Sequence, residues 1–255
     1  MQTHFDIVDL NLHGDRKISG TATLGFNASG TEKQFSVQLG IWATPTLLFL
    51  NEAGQVALRL NGYDDLDKFM TAMRYIAEKQ ETQMSFGKFL ERSHPPSSSE
   101  ELIQEDFFAA PPHNLNAGTL KKPVVVLFEE SNSEASRHLH KEVLQTPDTL
   151  KQLQAFHVVQ LNRWSDTPLI TPDGIGQTAK NWAETLRLNA LPCLLLFDQG
   201  REILRLDAMF KAFHVQSLLD YVASGAYHEE LDVQRYLHKR SERLREQGIT
   251  VNLWH

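Results

Sequence analysis

Cysteine is the scarcest functional residue here: the 255-residue chain has one, Cys193. A single thiol excludes an internal disulfide framework. It also excludes dithiol–disulfide exchange by the chain alone, because that chemistry needs an attacking thiol and a resolving one. Long apolar runs are missing too. No stretch reaches the roughly 18 residues that crossing a bilayer requires, so no membrane span is expected. The opening MQTHFDIVDL carries neither a positive stretch nor an apolar core, so no signal peptide is read there. Basic charge is in deficit: the net charge is -7, which argues against a nucleic-acid partner, since phosphate binders present a basic face. The local run from His238 to Arg245 is interleaved with Glu242 and reads as a solvated helix face.

What is present is repetition. Phe5-Asp6-Ile7-Val8-Asp9-Leu10-Asn11 returns as Phe156-His157-Val158-Val159-Gln160-Leu161-Asn162, 151 residues on. Ala43-Thr44-Pro45-Thr46-Leu47-Leu48-Phe49 returns as Ala190-Leu191-Pro192-Cys193-Leu194-Leu195-Leu196, an offset of 147. Val56 to Leu60 matches Ile203 to Leu206, and Tyr75-Ile76-Ala77 matches Tyr221-Val222-Ala223 at an offset of 146. Phe86 to Ser93 resembles Val233 to Ser241. Ordered matches at nearly one spacing indicate a duplication. The division that follows is a first domain at 1–92, a linker at 93–118 and a second domain at 119–255 with a helical extension. The Pro, Ser and Asn content of Ser93 to Gly118 marks the linker. Phe107-Phe108 within it should clip it onto one of the domains.

The second copy gives the clearer elements. Val124 to Phe128 is a continuous apolar run, as for a strand buried on both faces. Ser133 to Leu144 has helical spacing at Ala135, Leu139, Val143 and Leu144, with Ser133 or Asn132 as N-cap. Phe156 to Leu161 reads as a strand. Thr178 to Leu188 reads as a helix with Ala179, Trp182, Ala183 and Leu186 on one stripe. Leu194 to Phe197 and Ile203 to Leu206 are strands joined by the turn Asp198-Gln199-Gly200. Phe213 to Ser224 is a helix stopped by Gly225. The order is β-α-β-α-β-β-α.

That order resembles the thioredoxin fold, and the likeness sharpens at Ala43-Thr44-Pro45-Thr46. A proline directly before an apolar strand stands where that family has its cis-proline. Thr44-Pro45 and Leu191-Pro192 are thus identified as cis-proline loops, and an X-Pro bond takes the cis form at a cost of about 0.5–1 kcal/mol. With the Tyr221 to Tyr227 segment and the arginine-rich helix after it, the whole chain is similar to the bacterial thioredoxin-related, SoxW-like family. The resemblance implies an α/β architecture of two tandem thioredoxin-like domains, the first lacking its N-terminal strand and helix. It also implies an exported, periplasmic protein.

Members that act on disulfides carry Cys-x-x-Cys at the start of the helix after the first strand, where the helix N-terminus lowers the thiol pKa. By spacing, Ser133 and Ser136 occupy those two positions, and serine forms no disulfide. A hydrolytic Ser133 would need a positioned base. His138 and His140 lie two apart, on different helix faces, and read as surface histidines. His13, His113, His157 and His214 form no ligand cluster. No metal, cofactor or catalytic residue is therefore expected. Cys193, just after Pro192, is open to two readings: a thiol able to form mixed disulfides, or a buried small apolar residue.

The first copy starts at a strand over His4 to Asn11, with no counterpart of Val124 to Leu144 before it. Three explanations stay open. The start may lie downstream of the family's, leaving a Cys-x-x-Cys half outside and the chain a remnant of an oxidoreductase. Ala22 to Phe26 may fill part of the gap. Or the strand edge may pair elsewhere. For the chain as it stands the expectation is a non-catalytic module that binds a protein or extended peptide, with Trp42 beside the first loop adding apolar contact.

Overall fold

The second unit is built around a strand that meets no water. β6 (Val124–Glu129) is buried at every position. Such a run needs neighbours on both edges and cover on both faces. β7 (His157–Asn162) supplies one edge as a parallel partner, with Val124 opposite His157 and Glu129 opposite Asn162. β10 (Cys193–Asp198) supplies the other as an antiparallel partner, with Cys193 opposite Phe128 and Phe197 opposite Val124. β11 (Arg201–Leu206) returns from β10, so the sheet runs β11-β10-β6-β7. The β10–β11 turn is a two-residue loop: Gln199 and Gly200 both have positive φ, the geometry of a twist-matched hairpin turn.

This is the computed structural model of the chain, and it describes residues 5–18, 30–41, 44–61, 66–93, 101–131, 133–207 and 210–251. The expectations placed on Asn132, Trp42 and Ala22 to Phe26 lie outside the described residues. The chain divides into two units, 1–95 and 96–255.

Helices cover the second sheet. α4 (Glu134–His138) runs directly into a π-helical stretch, Leu139–Leu144, then α5 (Pro147–Leu153). α6 (Ala179–Thr185) is capped by Thr178, whose hydroxyl accepts from the Asn181 amide. Its Trp182 packs edge-on to Phe128 at 5.5 Å and tilted on Phe197 at 5.7 Å. α7 (Ala212–Ala223) ends at Gly225 with φ 72, the left-handed residue that glycine supplies without a Cβ clash. α8 (Val233–Glu246) buries only Tyr236, Leu237 and Ser241, so most of its charged run is solvated as the pattern predicts. The helix order expected from sequence holds, with additions. β5 (His113–Asn114), β8 (Pro168–Ile170) and β9 (Gly176–Thr178) form a second small sheet in the order β5-β8-β9.

One correction concerns residues 93–118. From 101 onward they are not a spacer but part of the second unit. Leu115 is fully buried in its core, β5 pairs with β8, and the Ala109 amide donates to the Val158 carbonyl at 2.8 Å. Composition marks the segment as irregular, and irregular backbone can still find partners far along the chain. Phe108 does hold the segment to that unit, against His140. A second correction is Ala135, which faces solvent. The buried stripe of its helix is instead Ser136, Leu139, His140, Val143 and Leu144.

The first unit is smaller. β1 (Lys17–Ile18) pairs with β2 (Gly30–Thr31), and α1 (Glu32–Gln38) starts from a capping box in which Thr31 and Gln34 satisfy each other's backbone amides. β3 (Thr46–Leu50) and β4 (Val56–Asn61) form a hairpin. α2 (Leu66–Ala77) and α3 (Phe86–Ser93) pack Ala72, Met73, Tyr75, Ile76, Phe86 and Phe89 with Phe49, Leu58 and Leu60. The strand expected over His4 to Asn11 is absent over the described residues 5–11. Among the described residues no strand pairs with it, and Ile7 and Val8 stay 67% and 77% exposed. The buried carboxylate of Glu32 tethers this segment instead. It accepts from the Asn11 amide at 3.2 Å and from Arg16 Nη2 at 2.7 Å, contacts that hold its pKa below the usual value despite burial.

The two units repeat contacts as well as sequence. Thr31 and Thr178 cap the helices that Leu39 and Leu186 close. Arg59 Nη1 donates to Leu39 O at 2.7 Å, and Arg205 Nη1 to Leu186 O at 2.8 Å. The Tyr75 hydroxyl donates to Met84 O and the Tyr221 hydroxyl to Glu230 O.

Candidate functional site

The antiparallel register of β10 on β6 brings two loops together. Because Cys193 lies opposite Phe128, Leu191-Pro192 comes off the sheet at the end of β6 where Glu129 and Glu130 lead toward α4. The β7 end joins them. The Arg163 amide donates to Glu129 O at 2.9 Å, and Arg163 Nη1 donates to Leu188 O at 2.6 Å on the segment leading into Pro192. Arg163 is 4% exposed, with its guanidinium 4.9 Å from the Trp164 ring. A buried guanidinium that closes a helix C-terminus and stacks on an indole fixes three chain segments at once. Only Arg-Trp after a strand hinted at this in the sequence.

Leu191-Pro192 is a cis peptide bond, as is Thr44-Pro45. Pro192 is buried and Leu191 half-buried; Pro45 is half-buried and Thr44 exposed. Ser133 is the α4 N-cap, and its Oγ accepts the Ser136 amide at 3.1 Å. Among the described residues no histidine reaches that hydroxyl, so it has no base to activate it. Ser136 is buried, and its Oγ has no hydrogen-bond partner. His138 is exposed.

His140 departs from the surface position expected of it: it is 3% exposed, with Nδ1 2.9 Å from Glu105 Oε1 and Nε2 3.1 Å from Glu129 Oε2. Helical spacing explains the move. His140 lies four residues after Ser136, on the inward stripe, and two carboxylates there satisfy both ring nitrogens. No pattern in the sequence joins Glu105 to His140 across 35 residues.

The reactive-thiol reading of Cys193 meets a correction. Its side chain is 1% exposed in the core cluster with Val126, Phe128 and Leu195. Burial pushes its pKa far up, followed by the Asp207 charge. A thiol held protonated in an apolar core is not a nucleophile at neutral pH. Among the described residues no group of three or more His, Cys, Asp or Glu is placed to hold a metal ion. No described helix is long and apolar enough to cross a membrane.

With the geometry in hand, similarity to known proteins gives the family. Among solved structures the chain is similar to a thioredoxin-fold protein from Helicobacter pylori, at 13% identity and a TM-score of 0.44, aligned over 60% of this chain and 98% of that one. A comparison with curated proteins returns no match. The family model of the thioredoxin-like domain matches residues 1–77 and 115–223. Those two segments take in well over half of the sequence, and the chain belongs to the thioredoxin-like domain family.

Proposed function

We propose that the chain is a non-catalytic thioredoxin-like module that holds an extended protein or peptide segment where Leu191-Pro192 meets the turn into α4. The observation that carries this reading is the fate of the three side chains at the positions where sulfur chemistry would be done. Ser133 spends its hydroxyl on a helix cap, Ser136 is buried, and Cys193 lies in the core. What that end of the sheet offers a partner is half-exposed side chains, Leu191, Ser133 and Trp164, around a backbone corner held rigid by Arg163. An extended segment laid along such a corner gains main-chain hydrogen bonds and a few apolar contacts. The contacts repeated between the units support reading them as tandem copies, with Thr44-Pro45 as the counterpart loop of the first.

The test uses the full chain and a fluorescently labelled, carboxymethylated unfolded polypeptide. Anisotropy should show saturable binding, with a Kd on the order of micromolar, about −8 kcal/mol. Leu191→Asp should weaken it at least about tenfold, or 1.4 kcal/mol, with the circular dichroism unchanged. Insulin incubated with the chain and dithiothreitol should be reduced no faster than with dithiothreitol alone. Catalysed insulin reduction, or no saturable binding, overturns the reading.

A further inference from the structure

We propose that residues 101–109 form a pH-sensitive strap, latched over the outer edge of β7 by the His140 ring clasped between Glu105 and Glu129. Among the described residues β7 is the last strand of its sheet and pairs with β6 alone among sheet strands. Its other edge would present unpaired backbone groups, which invite another strand. The strap covers it. Ala109 N–H donates to Val158 O at 2.8 Å, and Gln160 Nε2 donates to Ile103 O at 2.8 Å. Since Ala109 meets Val158 and Ile103 meets Gln160, the strap runs opposite to β7.

The strap is attached mostly by polar contacts. None of its residues is fully buried, and Ile103 is 38% exposed. Phe108 sits edge-on to the His140 ring at 5.9 Å. The latch beneath is buried: Glu129 is 1% and His140 3% exposed. Gln160 donates to the same Glu129 oxygen at 2.7 Å, and Gln145 donates to Glu105.

The geometry sets the protonation state. Both ring nitrogens face carboxylate oxygens, and an ionised carboxylate only accepts, so two such partners call for hydrogen on both nitrogens. Only the imidazolium has two N–H groups. Deprotonation turns one nitrogen lone pair toward a carboxylate at about 3 Å, in a site with little water to screen it. The charges acting on the ring are Glu129 from β6 and Glu105 from the strap; α5 and α7, which also pack on this helix, bring no charged group to bear on it. Burial by itself lowers the His140 pKa, but the hydrogen bonds from Glu129 and Glu105 outweigh it and the value is raised. A raised folded-state pKa stabilises fully below the ordinary histidine value near 6.5 and loses that effect as pH climbs through the folded-state pKa. The strap is therefore closed in mildly acid solution and loosened in base, which bares the β7 edge. This does not depend on the peptide-binding reading.

Amide hydrogen exchange of the full chain at about pH 6 and about pH 9, corrected for intrinsic rates, tests it. Protection of peptides spanning 101–109 should fall about tenfold between the two, while β6 and β10 peptides keep theirs. Glu105→Gln should lower strap protection at the acid pH and flatten the pH response. Unchanged wild-type protection overturns the proposal, as does equal loss in β6 or a Glu105→Gln chain with the wild-type response. Should that variant unfold, the His140 ring 15N shifts of the wild type decide: imidazolium shifts at about pH 6 that give way to neutral-ring shifts as pH rises are expected, and a ring already neutral at about pH 6 overturns the latch.

Discussion

The same short motif, proline followed by an apolar strand, sits in two different environments in this molecule. In the second unit, Pro192-Cys193-Leu194-Leu195 leads β10 between β6 and β11, and Leu194, Leu195 and Leu196 are all at most 1% exposed. In the first, Pro45-Thr46-Leu47-Leu48 leads β3, which among the described residues pairs with β4 alone, and Leu47 and Leu48 are half-exposed. The turns, caps and following helices correspond; among the described residues the central strand β6 has no counterpart in the first unit. Burial of a strand is thus set less by its own sequence than by whether a neighbour closes its second edge. Among the described residues Phe5 to Asn11 joins no sheet, although Phe156 to Asn162, its match in sequence, contains all of β7.

The contrast is broken most directly by truncating both leucines. Leu195→Ala should destabilise the second unit by about 2–5 kcal/mol, the usual cost of a cavity in a close-packed core. Leu48→Ala, at the matching position, should cost the first unit about 1 kcal/mol, because its side chain is only partly buried. Two units need not unfold together, so the readout is hydrogen-exchange protection of α7 and of α2 separately. Equal losses would mean that β3 is as enclosed as β10, and the comparison would fail.

How far the sequence shows this can be traced residue by residue. Ser133 as N-cap, Gly225 as helix stop and the Gln199-Gly200 turn were readable because each is a local signal with one geometric meaning. The order of the main strands and helices followed from apolar runs and helical spacing. What stayed hidden was decided at long range. His140 looks like a surface histidine until Glu105, 35 residues earlier, and Glu129 close on it. Residues 101–118 look like a linker by composition, yet β5 finds β8 more than fifty residues on. Strands of two or three residues such as β5, β8 and β9 carry no period to detect. In the candidate site the serines at 133 and 136 were legible by spacing, while the burial of Cys193 and the clamp by Arg163 needed the packed sheet.

A smaller effect sharpens the comparison where the units agree. Arg59 donates to Leu39 O and to Gly40 O at 2.8 Å; Arg205 donates to Leu186 O and pairs with Glu202. Each guanidinium closes the end of the helix before the proline loop, where exposed carbonyls favour a cation. Arg59→Ala and Arg205→Ala should each cost about 1.5–3 kcal/mol in their own unit, as for hydrogen bonds to a charged group. Lysine should restore less than half, since it lacks the planar fork. Protection of α1 and α6 amides measures this. A large loss in one unit only would show that the shared contact is not a shared support.

The smallest effect expected comes from the tyrosines. Tyr75 reaches Met84 O at 2.7 Å, and Tyr221 reaches Glu230 O, each tying α2 or α7 to the turn nine residues on. Tyr→Phe keeps the ring packing, against Phe86 and Phe89 in one unit and Tyr236 in the other. Only the hydroxyl is lost, so Tyr75→Phe and Tyr221→Phe should each cost about 0.5–1.5 kcal/mol. In Tyr221 burial raises the hydroxyl pKa, and the Glu230 and Asp232 charges add to it. A raised value means that the protonated hydroxyl is the form the fold favours. Its stabilisation is complete below the ordinary tyrosine value near 10 and is lost as pH rises through the folded-state value. In urea titrations followed by exchange of α7, the wild type should therefore lose stability above about pH 10 faster than Tyr221→Phe does. If the two decline in parallel, the hydroxyl bond contributes nothing that the ring does not already provide.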